Sequence, residues 1–238
     1  MMICPDAYYE INLKGKDKEY ILSAIREMQD EIARLKELMD NPDNKNRDII
    51  HPSEDVRIKC TRDYIARAIQ AYEELGGTYK MSKLEKADLE FQRDIGNISK
   101  ITFEIGGFFE GRREYVVEFA GEEALLTKSD MFSYDQKQSA LDREEVMDAL
   151  KELHIGEWEK YYDPMRFGYC VLDGIQWSVT FEYSNGKDAL EISGNNDYPY
   201  NFNEFAEIFD AEIMALRRFR PPFSVQSHIC HLHHFLLR

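Results

Sequence analysis

Residues 175–186 read IQWSVTFEYSNG, and this stretch decides the fold class. Its apolar residues recur at every second position, which is the period of a β-strand with one buried face: Trp177, Val179, Phe181 and Tyr183. The Asn185-Gly186 pair that follows predicts a type I′ hairpin turn, because both central residues of that turn need a positive φ angle. We therefore expect a strand that pairs antiparallel with the next one along the chain.

The regions around this stretch extend the same sheet. A period of two also occurs at 101–105 and 115–119, and further strands are expected at 124–127, at 167–172 and from residue 190. Two helical patterns, from Asp142 to Leu153 and over 202–216, supply helices to cover the sheet, and Asn201 is the expected N-cap of the second. Because strands and helices do not alternate as βαβ units, the sequence predicts an α+β fold with an antiparallel sheet and two packed helices.

The N-terminal part of the chain has the period of helices. The spacing predicts helices over 17–40 and 54–75, and Ser82 with Glu85 forms a capping box that begins a third helix, to about residue 93. Gly76-Gly77 is expected to end the second helix. We therefore divide the chain into a helical N-terminal region (1–95) with a helical hairpin, an α+β domain (96–216) and a basic tail (217–238).

The first long helix carries an apolar stripe at spacings of three and four. Two arrangements fit this stripe. In the first, the stripe packs inside the chain, since most helix stability comes from tertiary packing. In the second, it binds a partner protein or a second copy in a coiled-coil homodimer, and the contacts are then made by Ile25, Met28, Ile32 and Leu35.

The charge of the chain is unevenly distributed. The net charge is −15; residues 217–238 contain four arginines and no acid, which leaves −19 on residues 1–216. We expect no direct binding to nucleic acid, because phosphate contacts need Lys and Arg. Such a body is attracted to a protein with a basic surface, although a high negative charge also serves solubility alone.

With no long apolar run and no secretory signal, we expect no membrane segment and a cytoplasmic protein.

The densest group of metal-binding residue types lies in the sequence HICHLHHFLLR, residues 228–238. Imidazole and thiolate are common zinc ligands, so we consider zinc as a cofactor held by His228, Cys230, His231, His233 and His234. Whether extended or helical, this segment would supply about two or three of these ligands to one ion. A closed zinc site needs four, so a body residue or a second chain would contribute, and a tail without metal is the alternative. The other cysteines, Cys4, Cys60 and Cys170, are expected as free thiols, with Cys60 and Cys170 in the core.

Few other residues of the sequence suggest a catalytic or ligand-binding role. The sequence contains no P-loop, nucleophile elbow, zincin or dinucleotide-binding motif, so we assign no catalytic residues. His154 and Glu157, with Glu152 nearby, form a weak general-base hypothesis. Residues 195–197, Asn-Asn-Asp, fit either a ligand-binding loop or ordinary turn chemistry.

The segment from Asp173-Gly-Ile-Gln-Trp177 through Tyr183-Ser-Asn-Gly186 to Ser193-Gly-Asn-Asn-Asp-Tyr-Pro-Tyr-Asn-Phe202 resembles a module of uncharacterised Firmicutes proteins. The resemblance covers about residues 170–210. It implies a bacterial or phage origin, and it implies no activity.

These observations favour a non-enzymatic, acidic protein-binding protein. An inhibitor of a nucleic-acid enzyme, acting like an anti-CRISPR protein on a basic surface, is a concrete form of this hypothesis. The alternatives are a small metal-dependent enzyme and a housekeeping α+β domain.

Overall fold

The computed structural model describes residues 2–41, 44, 51–107, 111–130, 133–171 and 174–211, without the side chains of 133–135. Within these ranges, six α-helices and a seven-stranded sheet make an α+β fold, as predicted. None of the helices in these ranges is both long enough and apolar enough to cross a bilayer. The helices are α1 (Pro5–Tyr8), α2 (Lys18–Asp40), α3 (Glu54–Glu74), α4 (Lys83–Asp94), α5 (Arg143–Glu152) and α6 (Phe202–Glu207).

The sheet has the strand order β4-β3-β2-β1-β6-β7-β5. Neighbouring strands pair antiparallel except β5, which pairs parallel with β7, so the sheet is mixed rather than purely antiparallel. The strands are β1 (Ile98–Gly107), β2 (Gly111–Ala120), β3 (Glu123–Asp130), β4 (Ser133–Asp142), β5 (Tyr161–Tyr162), β6 (Ile175–Tyr183) and β7 (Leu190–Asn195).

One face of the sheet is buried under the C-terminal helices and α4. Phe103 at the centre of β1 is fully buried, and the rings of Phe202, Phe205 and Phe209 lie 5.2–5.8 Å from it. Phe91 of α4 packs on the same face, with its ring edge-on to Phe181. This large aromatic core fixes the inner face of the sheet, because each such ring removes a large apolar area from water.

The helical hairpin of α2 and α3 has its own, smaller core. Ile21 and Ile25 of α2 pack with Tyr64 and Ala68 of α3. The N-terminal segment closes this core, since Tyr8 stacks on Tyr64 at 4.4 Å between ring centroids. The two cores are separate groups of buried apolar residues, so polar side chains carry much of the contact between hairpin and sheet.

Several helix ends follow the sequence signals. The capping box of Ser82 and Glu85 is present at α4, and Asp142 caps α5 through the amide of Glu145. Gly76 has a φ of 76° just after α3, as a helix-ending glycine requires.

Several local predictions were wrong, among them the helix expected over 202–216, whose α-helical part ends at Glu207. Residues 133–142 form strand β4, which we did not predict, whereas Pro164–Phe167 form a 3-10 turn in place of the start of a strand at 167–172. Asn185 lacks the positive φ of a type I′ turn, and six residues connect β6 to β7. Cys170 is exposed and is therefore not a core residue, whereas Cys60 is half-buried and packs against the core of the hairpin.

Asn201 precedes α6 but does not cap it with its side chain. It is 6% exposed, accepts a hydrogen bond from Nε1 of Trp158 and donates one to the carbonyl of Leu153. The expected cap therefore serves as a buried link between α6 and the segment that follows α5.

Candidate functional site

A 3-10 turn, Ile155–Glu157, brings charged groups against α4. Gly156 permits this approach, because a Cβ at that position would lie 2.4 Å from the Cα of Asp88. The chain enters the turn through His154, whose φ of 49° is uncommon for a residue with a side chain. The backbone thus places His154 and Glu157 beside the hairpin helices.

Glu157 is the centre of a half-buried ion cluster. Both of its carboxylate oxygens accept hydrogen bonds from the guanidinium of Arg62 on α3, at 2.9 and 2.7 Å. Lys36 of α2 donates to the same carboxylate. Burial opposes the negative charge, but Lys36 and Arg62 outweigh it and lower the pKa of Glu157 to about 2. The carboxylate is therefore ionised at neutral pH and held by two cations.

Asp88 and His154 complete this group, which we call the Glu157 cluster (Lys36, Arg62, Asp88, His154 and Glu157). Oδ2 of Asp88 lies 2.7 Å from Nδ1 of His154. Among the described residues, Oδ1 of Asp88 and Nε of Arg62 find no hydrogen-bond partner. The general-base hypothesis had paired His154 with Glu157 and Glu152. Asp88 makes the hydrogen bond to His154 instead, while Glu152 pairs with Lys59 at the surface.

The Glu157 cluster also has the residue types of a metal site. One ligand atom from each of Asp88, His154 and Glu157 lies within 4.8 Å of the other two. However, Lys36 and Arg62 already bind the carboxylate of Glu157. A divalent cation would be repelled by both basic groups. The cluster fits an electrostatic link between hairpin and sheet better than a metal centre.

A second link lies at the end of α2. Arg166 makes two hydrogen bonds to the buried carboxylate of Asp197, at 2.6 and 3.0 Å, and one to Asp40 at 3.1 Å. Burial raises the pKa of Asp40 to about 6 even though Arg166 lowers it. The carboxylate of Asp40 is thus the more weakly compensated partner of this pair of acids.

The opposite face of the sheet is uncovered by the described residues. Strand register puts alternate residues of β1, β2, β3, β6 and β7 on this side, and their side chains are exposed or half-buried. We call it the outer sheet face. Among the described residues of these five strands, the face carries two basic residues, Lys100 and Arg112, and six glutamates: Glu104, Glu114, Glu118, Glu123, Glu182 and Glu191.

Two of these glutamates lie directly opposite each other. Glu104 of β1 and Glu114 of β2 are cross-strand partners, a like-charged pair that opposes sheet stability. Ser178 donates to Glu104 at 3.0 Å and Ser129 to Glu114 at 3.3 Å, and Arg112 pairs with Glu104. The carboxylates are therefore oriented by neighbours, although the face keeps an excess of negative charge.

The apolar stripe of α2 lies mostly inside the chain. Ile25 and Leu35 are fully buried and Met28 is 8% exposed, whereas Ile32 is half-buried. Of the two arrangements, the structure therefore has the intramolecular one for Ile25, Met28 and Leu35. A partner cannot contact these three side chains while the hairpin is folded in this way.

The expected zinc ligands, His228, Cys230, His231, His233 and His234, lie outside the described residues, so that site stays a prediction. At 195–197 the polar side chains make contacts within the chain: Asn196 accepts a hydrogen bond from the amide of Ile175, and Asp197 forms an ion pair with Arg166. These contacts fit the turn alternative.

Sequence reasoning did not single out Lys36, Arg62 or Asp88. They come from three different helices, and no spacing along the chain connects them to Glu157. The outer sheet face did have a signal, since the residues alternating with Trp177, Val179 and Phe181 are polar.

Comparisons with protein-family models, with curated proteins and with solved structures gave no match to this chain.

Proposed function

We propose that this chain is a non-enzymatic, acidic protein-binding protein whose partner presents a basic surface. The observation that carries the proposal is the outer sheet face, whose described residues include six glutamates and two basic residues. Electrostatic complementarity of this kind speeds encounter with a basic partner and selects against acidic ones.

The extent of the face supports a protein rather than a small molecule as its occupant. The five strands of the face, at about 4.8 Å spacing, make a surface about 20 Å wide. Its centre is polar and open, and serine and threonine side chains such as Thr102, Ser178 and Thr180 lie between the carboxylates. A lysine- and arginine-rich surface would find both charge partners and hydrogen-bond acceptors there.

The finer form of the proposal concerns the class of partner. Enzymes that act on nucleic acids carry basic channels, and an acidic protein can occupy such a channel in place of the phosphate backbone. We therefore propose an inhibitor of a nucleic-acid enzyme, in the manner of an anti-CRISPR protein, acting in the cytoplasm.

Charge reversal tests whether the face itself is responsible. The face variant replaces Glu118, Glu123 and Glu191 by Lys. The control variant, with the same change in net charge, replaces Glu27, Glu37 and Glu73, which are exposed on the hairpin. The probe is a fluorescent 20-residue peptide of lysine and arginine, and binding is followed by anisotropy.

We expect the face variant to bind the peptide at least about tenfold more weakly than the control variant, because only the face variant removes the charges that contact it. If both variants lose affinity equally, net charge alone attracts the peptide and the proposed site is wrong.

For the finer proposal, wild-type chain should inhibit cleavage of duplex DNA by a nuclease captured from bacterial lysate, and added DNA should relieve the inhibition. A captured nuclease that the chain leaves fully active contradicts it.

A small metal-dependent enzyme is the second candidate, and the hydrogen bond between Asp88 and His154 favours it. A carboxylate that orients an imidazole is a common part of both general-base and metal sites. Elemental analysis of the full chain beside Asp88→Asn and His154→Ala variants tests it. A metal that is bound by the wild type and lost in both variants supports this candidate, and a chain that binds none removes it.

A further inference from the structure

We propose that residues 217–238 of this chain occupy the outer sheet face when no partner is bound, and so compete with the partner intramolecularly. The inference shares the outer sheet face with the proposed function and adds a regulation of it.

Charge complementarity is the first argument. The segment contains Arg217, Arg218, Arg220 and Arg238 and no acidic residue. Among the described surfaces, the outer sheet face offers an open array of carboxylates of matching extent.

The position where the described chain ends is the second argument. Lys128 of β3, on the covered face of the sheet, binds the side chain of Asp210 at 2.8 Å, so the described chain ends at Ala211 beside β3 on that face. Strand β4, next to β3, forms the nearer edge of the sheet. From Ala211, an extended chain reaches about 20 Å by Arg217 and about 90 Å by residue 238. This span is enough to pass the β4 edge and lie across a sheet about 30 Å wide.

Covalent connection is the third argument. A segment joined to its own surface acts at an effective concentration on the order of millimolar, so even weak ion pairs fill the site. A face that is free about a tenth of the time binds its partner about tenfold more weakly than a free one.

Photo-crosslinking in the full chain tests the contact directly. Leu125 of β3 is exposed on the outer sheet face, and Leu75 is exposed at the end of α3. Each is replaced in turn by p-benzoylphenylalanine, and cross-linked peptides are identified by mass spectrometry with and without a metal chelator. We expect residues 217–238 among the intramolecular products from position 125 and not from position 75.

A second measurement asks whether the contact regulates binding. One variant replaces Arg217, Arg218 and Arg220 by Gln, and its control replaces Lys18, Arg26 and Lys80, which are exposed on the helical part. The first variant should bind the lysine-arginine peptide about tenfold more tightly than the wild type, and more tightly than the control variant.

Three outcomes overturn the inference: equal cross-linking from both positions, products that join two molecules, and an affinity that the three arginines do not change. Loss of the cross-link on chelation shows metal-dependent folding of the segment and also overturns it. If the cross-link forms but no variant binds the peptide, the intramolecular contact stands and the proposed function fails.

Discussion

Replacement of Glu157 by Gln should loosen the link between the helical hairpin and the sheet. The substitution keeps the size of the side chain and removes its charge. Lys36 and Arg62 then remain as half-buried cations without their carboxylate, each less than about a fifth exposed. Uncompensated cations in such a site are costly, because protein atoms replace the water that would solvate them.

The size of the effect follows from the pKa of Glu157. Its ordinary value is 4.5 and its value in the fold is about 2. At about 1.4 kcal/mol for each pH unit between these values, the ionised carboxylate contributes about 3 kcal/mol to the free energy of unfolding at neutral pH. Because the pKa is lowered in the fold, this contribution is complete above pH 4.5 and declines as the pH falls toward 2. About 2 kcal/mol should remain at about pH 3.5.

Urea unfolding of the full chain, followed by tryptophan fluorescence, measures both quantities. Glu157→Gln is expected to lose about 3 kcal/mol at about pH 7 and less at about pH 3.5. The matched control is Glu152→Gln, whose ion pair with Lys59 is about two-thirds exposed on both sides. An exposed pair contributes less than about 1 kcal/mol, since water screens it. Equal losses in the two variants, or a loss at Glu157 independent of pH, would refute the assigned ion cluster.

Three further changes test other contacts. The pKa of Asp40 is raised to about 6, so its ionisation costs the fold up to about 3 kcal/mol as the pH rises from about 4 to about 8. Asp40→Asn should remove this loss of stability, and equal pH profiles for variant and wild type would contradict the assignment. Gly156→Ala should cost about 1–3 kcal/mol in thermal unfolding through overpacking against α4, whereas Gly96→Ala, with open space around it, should cost much less; similar losses would count against the close approach. Asn201→Ala should cost about 2 kcal/mol in urea unfolding, as two buried polar groups lose their partners, and a neutral result would exclude that role.

The helices and central strands were predictable because each has a regular apolar period. Helix α2 was expected over 17–40 and spans Lys18–Asp40, and the alternation at Trp177 and Phe181 correctly identified β6. Strand β4 was missed because residues 136–140, Gln-Lys-Gln-Ser-Ala, are all exposed. An edge strand whose two faces are both polar carries no alternation that a sequence can reveal.

The 167–172 prediction failed for a different reason. Apolar residues there suggested a strand, but Asp163 and Pro164 begin a 3-10 turn that Gly168 ends with a φ of 82°. Local turn chemistry outweighed a short apolar run.

The Glu157 cluster could not be predicted from the sequence. Glu157 lies 121 residues from Lys36 and 95 from Arg62, so only the packing of the hairpin on the sheet brings them together. The acidity of the body, by contrast, was evident from composition, and the fold adds that part of this charge lies on one open face. The sequence could not assign that face, because which side of a sheet is covered depends on where the helices pack.

The edges of the sheet limit how any partner can associate with it. Strand β5, at one edge, is two residues long, and β4, at the other, exposes Lys137 among polar neighbours. Short strands and lysine at an edge discourage the addition of a foreign strand and the growth of fibrils. Recognition through backbone hydrogen bonds is therefore disfavoured at both edges. A binding partner would therefore be recognised by its side chains. The backbone of the partner surface could change in conformation without loss of recognition, provided that the positive charges on that surface kept their spacing.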